Sequence, residues 1–273
     1  MKIAILGAAG RMGLNLLRCA TKLDACEIVA AVERPDHPSI GARVKEVSGI
    51  RSDKLSDTLC FTDRWPEEAE AVIDFTFHTC VRGNLENAVA NSQAYVLGTT
   101  GLSDEEKSAV AAAAAQIPVV WAPNMSLGVN LLLELVRRSA SILGPEYDVE
   151  IVEMHHRLKK DAPSGTALGL AEAVAAGRGV KLGDVACYGR QGITGERPAG
   201  EIGIHALRGG SVVGDHTVAF VADEERVEIT HKANTREAFA TGALRAALWL
   251  DGRKPGIYTM RHVLGFADEC TKP

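Results

Sequence analysis

Residues 1–34 restrict the fold more than any other stretch of the chain. The apolar run Lys2-Ile3-Ala4-Ile5-Leu6 meets Gly7-Ala8-Ala9-Gly10-Arg11-Met12-Gly13. A helical pattern then runs from Met12 to Leu23, and a second β-branched run, Glu27 to Val32, ends on Glu33-Arg34. Glycines so placed let the chain turn off a strand, bring backbone against a pyrophosphate, and open a helix whose positive end faces the phosphates. G-x-x-G-x-x-G alone is equally compatible with a turn that binds nothing. Here the strand–turn–helix–strand context favours a nucleotide, as does Glu33, about 20 residues past the last glycine, where an acidic side chain binds ribose hydroxyls. Arg34 can pair with a 2'-phosphate and Arg11 at the loop tip can assist, so NADH and NADPH are both admissible.

The same alternation continues. Strand-like runs at Ala71–Phe75, Ala94–Leu97 and Val119–Trp121 interleave with helical patterns at Arg82–Asn91 and Ser103–Ala115. The latter opens with Ser103-Asp104-Glu105-Glu106, a capping box with acidic residues at the positive helix end. This predicts an α/β fold, a Rossmann-type doubly wound parallel sheet. After Ser126 the texture changes. An apolar helix over 128–143 precedes a strand at Val149–Met154 and a helix at Ala167–Ala176; alternating runs follow at Ile202–Leu207, Val212–Val221 and Arg226–His231. Period-2 alternation broken by Gly209-Gly210 and Asp223-Glu224-Glu225 predicts a second, α+β domain containing an open mixed sheet. The glycine-rich stretch 189–203 reads as a long excursion, either a mobile loop or an oligomer contact. A last helical pattern, Arg236–Leu250, returns to the first domain. The expected division is 1–126 plus 237–273 for the dinucleotide and 127–236 for the second domain.

Composition narrows the function classes. The 273 residues are 46% hydrophobic and 24% charged, with net charge -5, so a sizeable core is available and no basic patch interleaved with aromatics points to nucleic acid. Cys19, Cys26, Cys60, Cys80, Cys187 and Cys270 lack C-x-x-C spacing, which reads as reduced thiols in a cytoplasmic protein rather than disulfides or a metal site. The opening apolar run breaks at Gly7 and regains charge at Arg11, unlike a signal peptide. The alanine-rich segment 107–120 is far shorter than the roughly 20 residues of a membrane span. No membrane partner is expected.

Two further motifs, Gly98-Thr99-Thr100-Gly101 and Ala122-Pro123-Asn124-Met125-Ser126, follow expected strands, at the edge where open parallel sheets bind ligands. Asp74 and Thr76 suit a site or a connector equally. The densest chemistry is mid-chain: Glu153-Met154-His155-His156-Arg157-Leu158-Lys159-Lys160-Asp161-Ala162-Pro163-Ser164-Gly165-Thr166. Adjacent histidines on an extended segment point to opposite sides and do not share a metal as an i, i+4 pair does; no metal is expected. His155 is the candidate proton donor or acceptor, because reducing a carbon–nitrogen or conjugated double bond needs a proton beside the hydride. Lys159 can bind a carboxylate and supply a proton, and Ser164-Gly165-Thr166 offers hydroxyls and helix-start N–H groups to another carboxylate. Arg157 and Lys160 read as surface charges, and His205, His216, His231 and His262 as structural.

Through Gly7–Gly13, Gly98–Thr100, Ala122–Ser126, Glu153–Thr166 and His231–Arg236, the chain resembles over essentially its full length the 4-hydroxy-tetrahydrodipicolinate reductase family, formerly called dihydrodipicolinate reductase. The resemblance implies reduction of a cyclic, imine-containing dicarboxylate by NADH or NADPH, with loss of water, on the diaminopimelate route to lysine. It implies His155 as acid/base residue, Lys159 as proton donor, and His156, Ser164, Gly165 and Thr166 at the substrate. Coenzyme contacts would be Gly7, Ala8, Ala9, Gly10, Arg11, Met12, Glu33, Arg34, Gly98, Thr99, Thr100, Ala122, Pro123, Asn124, Met125 and Arg236. Met125 departs from the aromatic often found there. The resemblance further implies a homotetramer built through the second domain's sheet, and hinge closure bringing substrate to nicotinamide. A related dehydrogenase for another imino or oxo acid, and a nucleotide sensor without catalysis, are the competing readings.

Overall fold

The computed structural model describes residues 1–266. In chain order the first elements are β1 (Lys2–Leu6), α1 (Arg11–Ala20), β2 (Glu27–Val32), α2 (Val44–Ser48), β3 (Phe61–Thr62), β4 (Ala71–Asp74), α3 (His78–Ala90), β5 (Ala94–Leu97), α4 (Asp104–Ala114) and β6 (Pro118–Trp121). Then come α5 (Leu127–Leu143), β7 (Asp148–His155), α6 (Gly165–Arg178), α7 (Leu182–Val185), β8 (Ala186–Tyr188), β9 (Ile202–Arg208), β10 (Gly214–Val221) and β11 (Arg226–Ala233). The last are α8 (Glu237–Trp249), β12 (Gly256–Tyr258) and α9 (Met260–Val263). They form two compact units: Met1–Leu127 with the chain from Arg236 onward, and Gly128–Thr235.

The first unit is built on a seven-stranded, all-parallel sheet of order β12-β6-β5-β4-β1-β2-β3. Alternate residues of β1 enter different cores. Ile3 and Ile5 pack with Leu16 and Leu17 of α1 and Ala243 and Leu244 of α8, whereas Ala4 and Leu6 pack with Val81 and Leu85 of α3 and Val110 of α4. Helices on both faces explain why these strands read as unbroken apolar runs. The capping box expected at Ser103 is formed: its hydroxyl accepts from Glu106 N–H at 3.2 Å, and the Glu106 carboxylate accepts from Ser103 N–H at 2.7 Å.

The second unit carries a mixed five-stranded sheet, β11-β10-β7-β9-β8, with β7, β9 and β8 mutually parallel and β10 and β11 antiparallel. Val149 and Ile151 of β7, Val218 and Phe220 of β10 and Ile202 and Ile204 of β9 meet α5 and α6 in one core. On the other face, Val152 and Leu207 are exposed. The excursion between β8 and β9 is tied back by two arginines. Arg190 and Arg197 both reach Glu150, at 2.8 and 3.0 Å, and Arg197 also binds Asp148 at 2.6 Å.

Short elements escaped the sequence patterns: α2, β3, α7, β8, β12 and α9 run two to five residues, too few to show a period. Helix α3 starts at His78, four residues ahead of expectation, because apolar Val81 already faces the core. Cys19, Cys26, Cys60, Cys80 and Cys187 are free thiols, and Cys270 lies outside the described residues. Among the described residues no helix is long and apolar enough to cross a membrane.

One close approach fixes how α6 sits on α5. A Cβ added to Gly177 would lie 2.3 Å from the Arg137 carbonyl oxygen and 2.9 Å from Cβ of Ala140. In an ordinary exposed helix Gly→Ala stabilises by about 1 kcal/mol. Here Gly177→Ala is expected to destabilise by about 1–3 kcal/mol through overpacking, read as a lower urea midpoint with unchanged m-value.

Candidate active site

One registered row of residues organises the first unit's functional edge. Val32, Leu6, Asp74, Leu97 and Trp121 pair across β2-β1-β4-β5-β6, so the residues that follow them, Glu33, Gly7, Phe75, Gly98 and Ala122, leave the sheet side by side. Strand order reverses between β1 and β4, which makes this the crevice where open parallel sheets take ligands. Gly7 adopts φ +71, and a Cβ on Gly13 would fall 2.3 Å from the Gly7 carbonyl oxygen, so only glycine lets the turn fold onto α1. Helix α1 has Gly10 as its N-cap and so starts without any side-chain cap. Its first-turn N–H groups and positive end suit a pyrophosphate. The Glu33 carboxylate accepts from Ala9 N–H at 3.1 Å and Arg34 N–H at 3.2 Å, which holds it beside that turn. Arg11 and Arg34 are exposed.

The neighbouring loops are fixed by Asp74, which is fully buried. Its Oδ1 accepts from Thr76 N–H at 2.7 Å and from the Thr76 and Thr99 hydroxyls at 2.7 and 3.1 Å; its Oδ2 accepts from Asn84 at 3.0 Å and Tyr95 at 2.5 Å. Asp74 and Thr76 therefore shape the edge from within. A Cβ on Gly98 would lie 2.4 Å from the Phe75 ring, so a larger residue there has to displace that ring. Thr100 and Pro123 face outward. Asn124 turns its chain by accepting from Ser126 N–H at 2.9 Å. The Met125 side chain is buried in the core with Ala240 and Leu244, so only its backbone is available to a ligand. Arg236 is exposed at the start of α8. Phe77, 65% exposed beside the His78 ring, is an aromatic at this edge that sequence reasoning passed over, since nothing in the local pattern sets it apart from a core residue.

The mid-chain motif makes the second constellation. Strand period 2 puts Glu153 and His155 on the helix-covered face of β7, with Nδ1 of His155 2.6 Å from Glu153 Oε2. Arg208, paired with His155 across β7 and β9, donates to both Glu153 oxygens at 2.9 and 3.0 Å. Ser164 N–H donates to Glu153 Oε1 at 2.9 Å. The Ser164 hydroxyl caps α6 by accepting from Ala167 N–H at 3.2 Å and lies 3.3 Å from Nε2 of His216. Ser164, expected at the substrate, is thus buried with N–H and hydroxyl both engaged. What the turn presents outward is Gly165 and, half-buried, Thr166. His156 is half-buried at the strand end, and Lys159 pairs with exposed Asp161 at 3.0 Å. Arg157 and Lys160 are exposed. Among the described residues no group of three or more His, Cys, Asp or Glu could hold a metal ion.

Burial alone would raise the Glu153 carboxyl. Hydrogen bonds from Arg208, His155 and Ser164 N–H outweigh it and keep that group below the usual carboxylate range. His216, read from the sequence as structural, stands edge-on to His155 with ring centroids 5.1 Å apart; burial first, then the neighbouring His155, lowers its pKa to about 4. Of the other histidines, His205 serves Glu150 at 2.6 Å and His262 closes the Thr259 cap of α9.

Both halves of the chain match family profiles. Residues 1–125 match the dihydrodipicolinate reductase N-terminus and residues 128–264 its C-terminus. The chain belongs to the dihydrodipicolinate reductase family. It is 47% identical over 268 residues to a 4-hydroxy-tetrahydrodipicolinate reductase of Magnetococcus marinus, covering 97% of this chain and 99% of that one. Among solved structures, a dipicolinate-bound dihydrodipicolinate reductase from Paenisporosarcina sp. TG-14 shares the fold at TM-score 0.72 and 24% identity, covering 95% and 97% of the two chains. An amine dehydrogenase from Mycobacterium smegmatis shares it more loosely, at TM-score 0.56 and 11% identity over 95% of each chain.

In this dihydrodipicolinate reductase fold the buried imidazole at 216 has a cost in acid. An unfolded histidine binds a proton below about pH 6.5, whereas native His216 stays neutral until about pH 4. Stability is therefore lost as pH falls between those values, by up to about 3 kcal/mol. The expected outcome for His216→Asn is a shallower fall of Tm between pH 6.5 and 4.5, measured by differential scanning calorimetry. Glu153 and Glu150, both held below the usual carboxylate range, are common to the two proteins, so the difference between their profiles reports position 216.

Proposed function

We propose that the chain catalyses the NADH- or NADPH-dependent reduction of 4-hydroxy-tetrahydrodipicolinate to tetrahydrodipicolinate, with loss of water, in cytoplasmic lysine biosynthesis by the diaminopimelate route. The observation that carries the reading is the joint presence of a glycine turn and Glu33 at the switch point of a parallel sheet and the Glu153–His155–Arg208–Ser164 cluster beside Lys159 and the α6 turn. The reaction consumes one hydride and one proton and releases one water. NADH or NADPH, when bound, supplies the hydride.

The chain's own groups supply the rest. Gly7 to Met12 receive the pyrophosphate, Glu33 the adenosine ribose and Arg34 a 2'-phosphate where present. Gly98, Thr99, Thr100, Ala122, Pro123, Asn124 and the Met125 backbone line the remaining edge, with Arg236 as a further cation for the coenzyme. On the second unit Gly165 and Thr166, at the positive end of α6, hold one carboxylate of the cyclic substrate, and His156 contributes to the other. Ser164 fixes that turn and the direction of Glu153. Lys159, cationic and held by Asp161 until substrate competes for it, donates the proton; His155 takes up and returns a proton during dehydration and reduction. The open face of the second sheet, with Val152 and Leu207 exposed, supports a homotetramer assembled through that face.

The decisive measurement is initial-rate kinetics of tetrahydrodipicolinate formation, on enzymatically generated substrate, with each coenzyme. His155→Ala and Lys159→Ala are each expected to lower kcat by about 10² or more while coenzyme Kd stays unchanged; wild-type turnover in both rejects the roles assigned to these residues, and coenzyme binding without any turnover in the unmodified protein leaves a nucleotide-binding protein. Glu33→Ala is expected to raise KM for NADH more than for NADPH, and Arg34→Ala the reverse, because one group meets the ribose hydroxyls and the other the phosphate.

A further inference from the structure

Glu153 is fully buried, and four donors match the roughly four acceptor sites of its carboxylate. Both oxygens accept from Arg208, one also from Ser164 N–H, and Oε2 lies 2.6 Å from Nδ1 of His155. An ionised carboxylate only accepts, so the hydrogen of that short contact belongs to Nδ1, in the neutral ring as in the imidazolium. Nε2 is then the ring atom that exchanges a proton. Its surroundings fit that use. Gly214 stands one step beyond the Asp215–Met154 pair of β10 and β7, and a Cβ there would come within 3.0 Å of Nε2.

Among the described residues, the charged and titratable groups around His155 include Glu153 and the adjacent His156 on its own segment, Arg208 on β9, His216 on β10 with His231 beyond it on β11, and the Lys159–Asp161 pair in the following loop. Burial lowers both His216 and His231, so neither brings positive charge against His155 at neutral pH. Arg208 is neutralised by Glu153, and its second nitrogen also donates to the Asp161 carbonyl, which ties the 156–164 loop to the same group.

We propose that Glu153, locked by Arg208, is a positioning residue that fixes the Nδ1–H form of His155 and makes Nε2 the proton-transfer atom, with Gly214 keeping room beside it. The inference rests on the acid/base reading of His155 given above. It goes beyond that reading by assigning the atom, its tautomer and the residues that set them.

Two measurements on the full-length enzyme test it. In protein labelled with 15N-histidine, the neutral His155 ring is expected to show the Nδ1–H tautomer by long-range 1H–15N correlation, and Glu153→Gln to lose that preference. In kinetics, Glu153→Gln is expected to lower kcat at least about tenfold with little change in KM, as loss of a carboxylate behind a catalytic imidazole does. Glu153→Asp should restore part of the rate. Gly214→Ala should lower kcat without altering coenzyme Kd. An Nε2–H tautomer in the wild-type enzyme overturns the proposal even if every variant fails to fold, and so does a Glu153→Gln enzyme whose kcat equals that of the wild type. Wild-type turnover in His155→Ala sinks the acid/base reading instead, and the tautomer measurement still decides the assignment made here.

Discussion

A carboxylate taken fully out of water must be met by donors, and that requirement shapes both functional edges of this protein. Asp74 ends β4 and collects five hydrogen bonds from Thr76, Thr99, Asn84 and Tyr95, so β4, α3, β5 and the loop after β5 have one mutual arrangement that satisfies it. Glu153, two residues from the end of β7, does the same for β9, the loop 156–164 and the start of α6. In each unit an interior charge at a strand terminus organises loops that face outward. Removing one partner of such a network costs far more than the net worth of the bond, since a charge is then left buried and unmatched. The geometry at these edges is therefore set before any ligand arrives.

The sequence was legible where a periodic or spacing rule is strict. β1, the glycine turn, α1, β2 and Glu33 form one local βαβ unit, and every step in it is dictated by neighbours within a few residues. The row that brings Gly98 and Ala122 beside Gly7 was legible less directly, through the rule that residues just past parallel strands line a crevice. The partners that act at a distance were not legible. Arg208 lies 55 residues from Glu153, and His216 lies 52 from Ser164, so their meeting depends on register across three strands of a mixed sheet. Period 2 on β7 already placed Glu153 on the face of His155, the one available hint of a carboxylate–imidazole pair. Met125 and Ser164 show the converse. A motif can identify a loop without saying which of its side chains point inward to hold it.

The same electrostatic logic accounts for the glycine-rich excursion between β8 and β9. Glu150 lies on the face of β7 opposite Glu153, and it gathers Arg190, Arg197 and His205. Burial would raise its carboxyl, but these donors hold it near a pKa of about 2. Glycines make the excursion pliable and the arginines fasten it. A segment that composition presents as loose is thus bound at two points to the strand that carries the catalytic candidates, and the exposed apolar residues of the sheet lie on the face where it is bound.

With Glu33 and Arg34 in the roles proposed above, coenzyme choice turns on a contrast in rigidity between two adjacent residues. The Glu33 carboxylate is held by two backbone N–H groups, at Ala9 and Arg34, and can accept from ribose hydroxyls without rearrangement. The Arg34 guanidinium is exposed and, among the described residues, pairs with exposed Asp36 at 3.2 Å, an interaction worth at most about 1 kcal/mol. It can leave that partner for a 2'-phosphate at little cost, and the charge it brings offsets the repulsion between that phosphate and Glu33. A fixed acid next to an adjustable cation gives neither coenzyme a decisive handicap. On the proposed reading, both NADH and NADPH are therefore admissible at this edge.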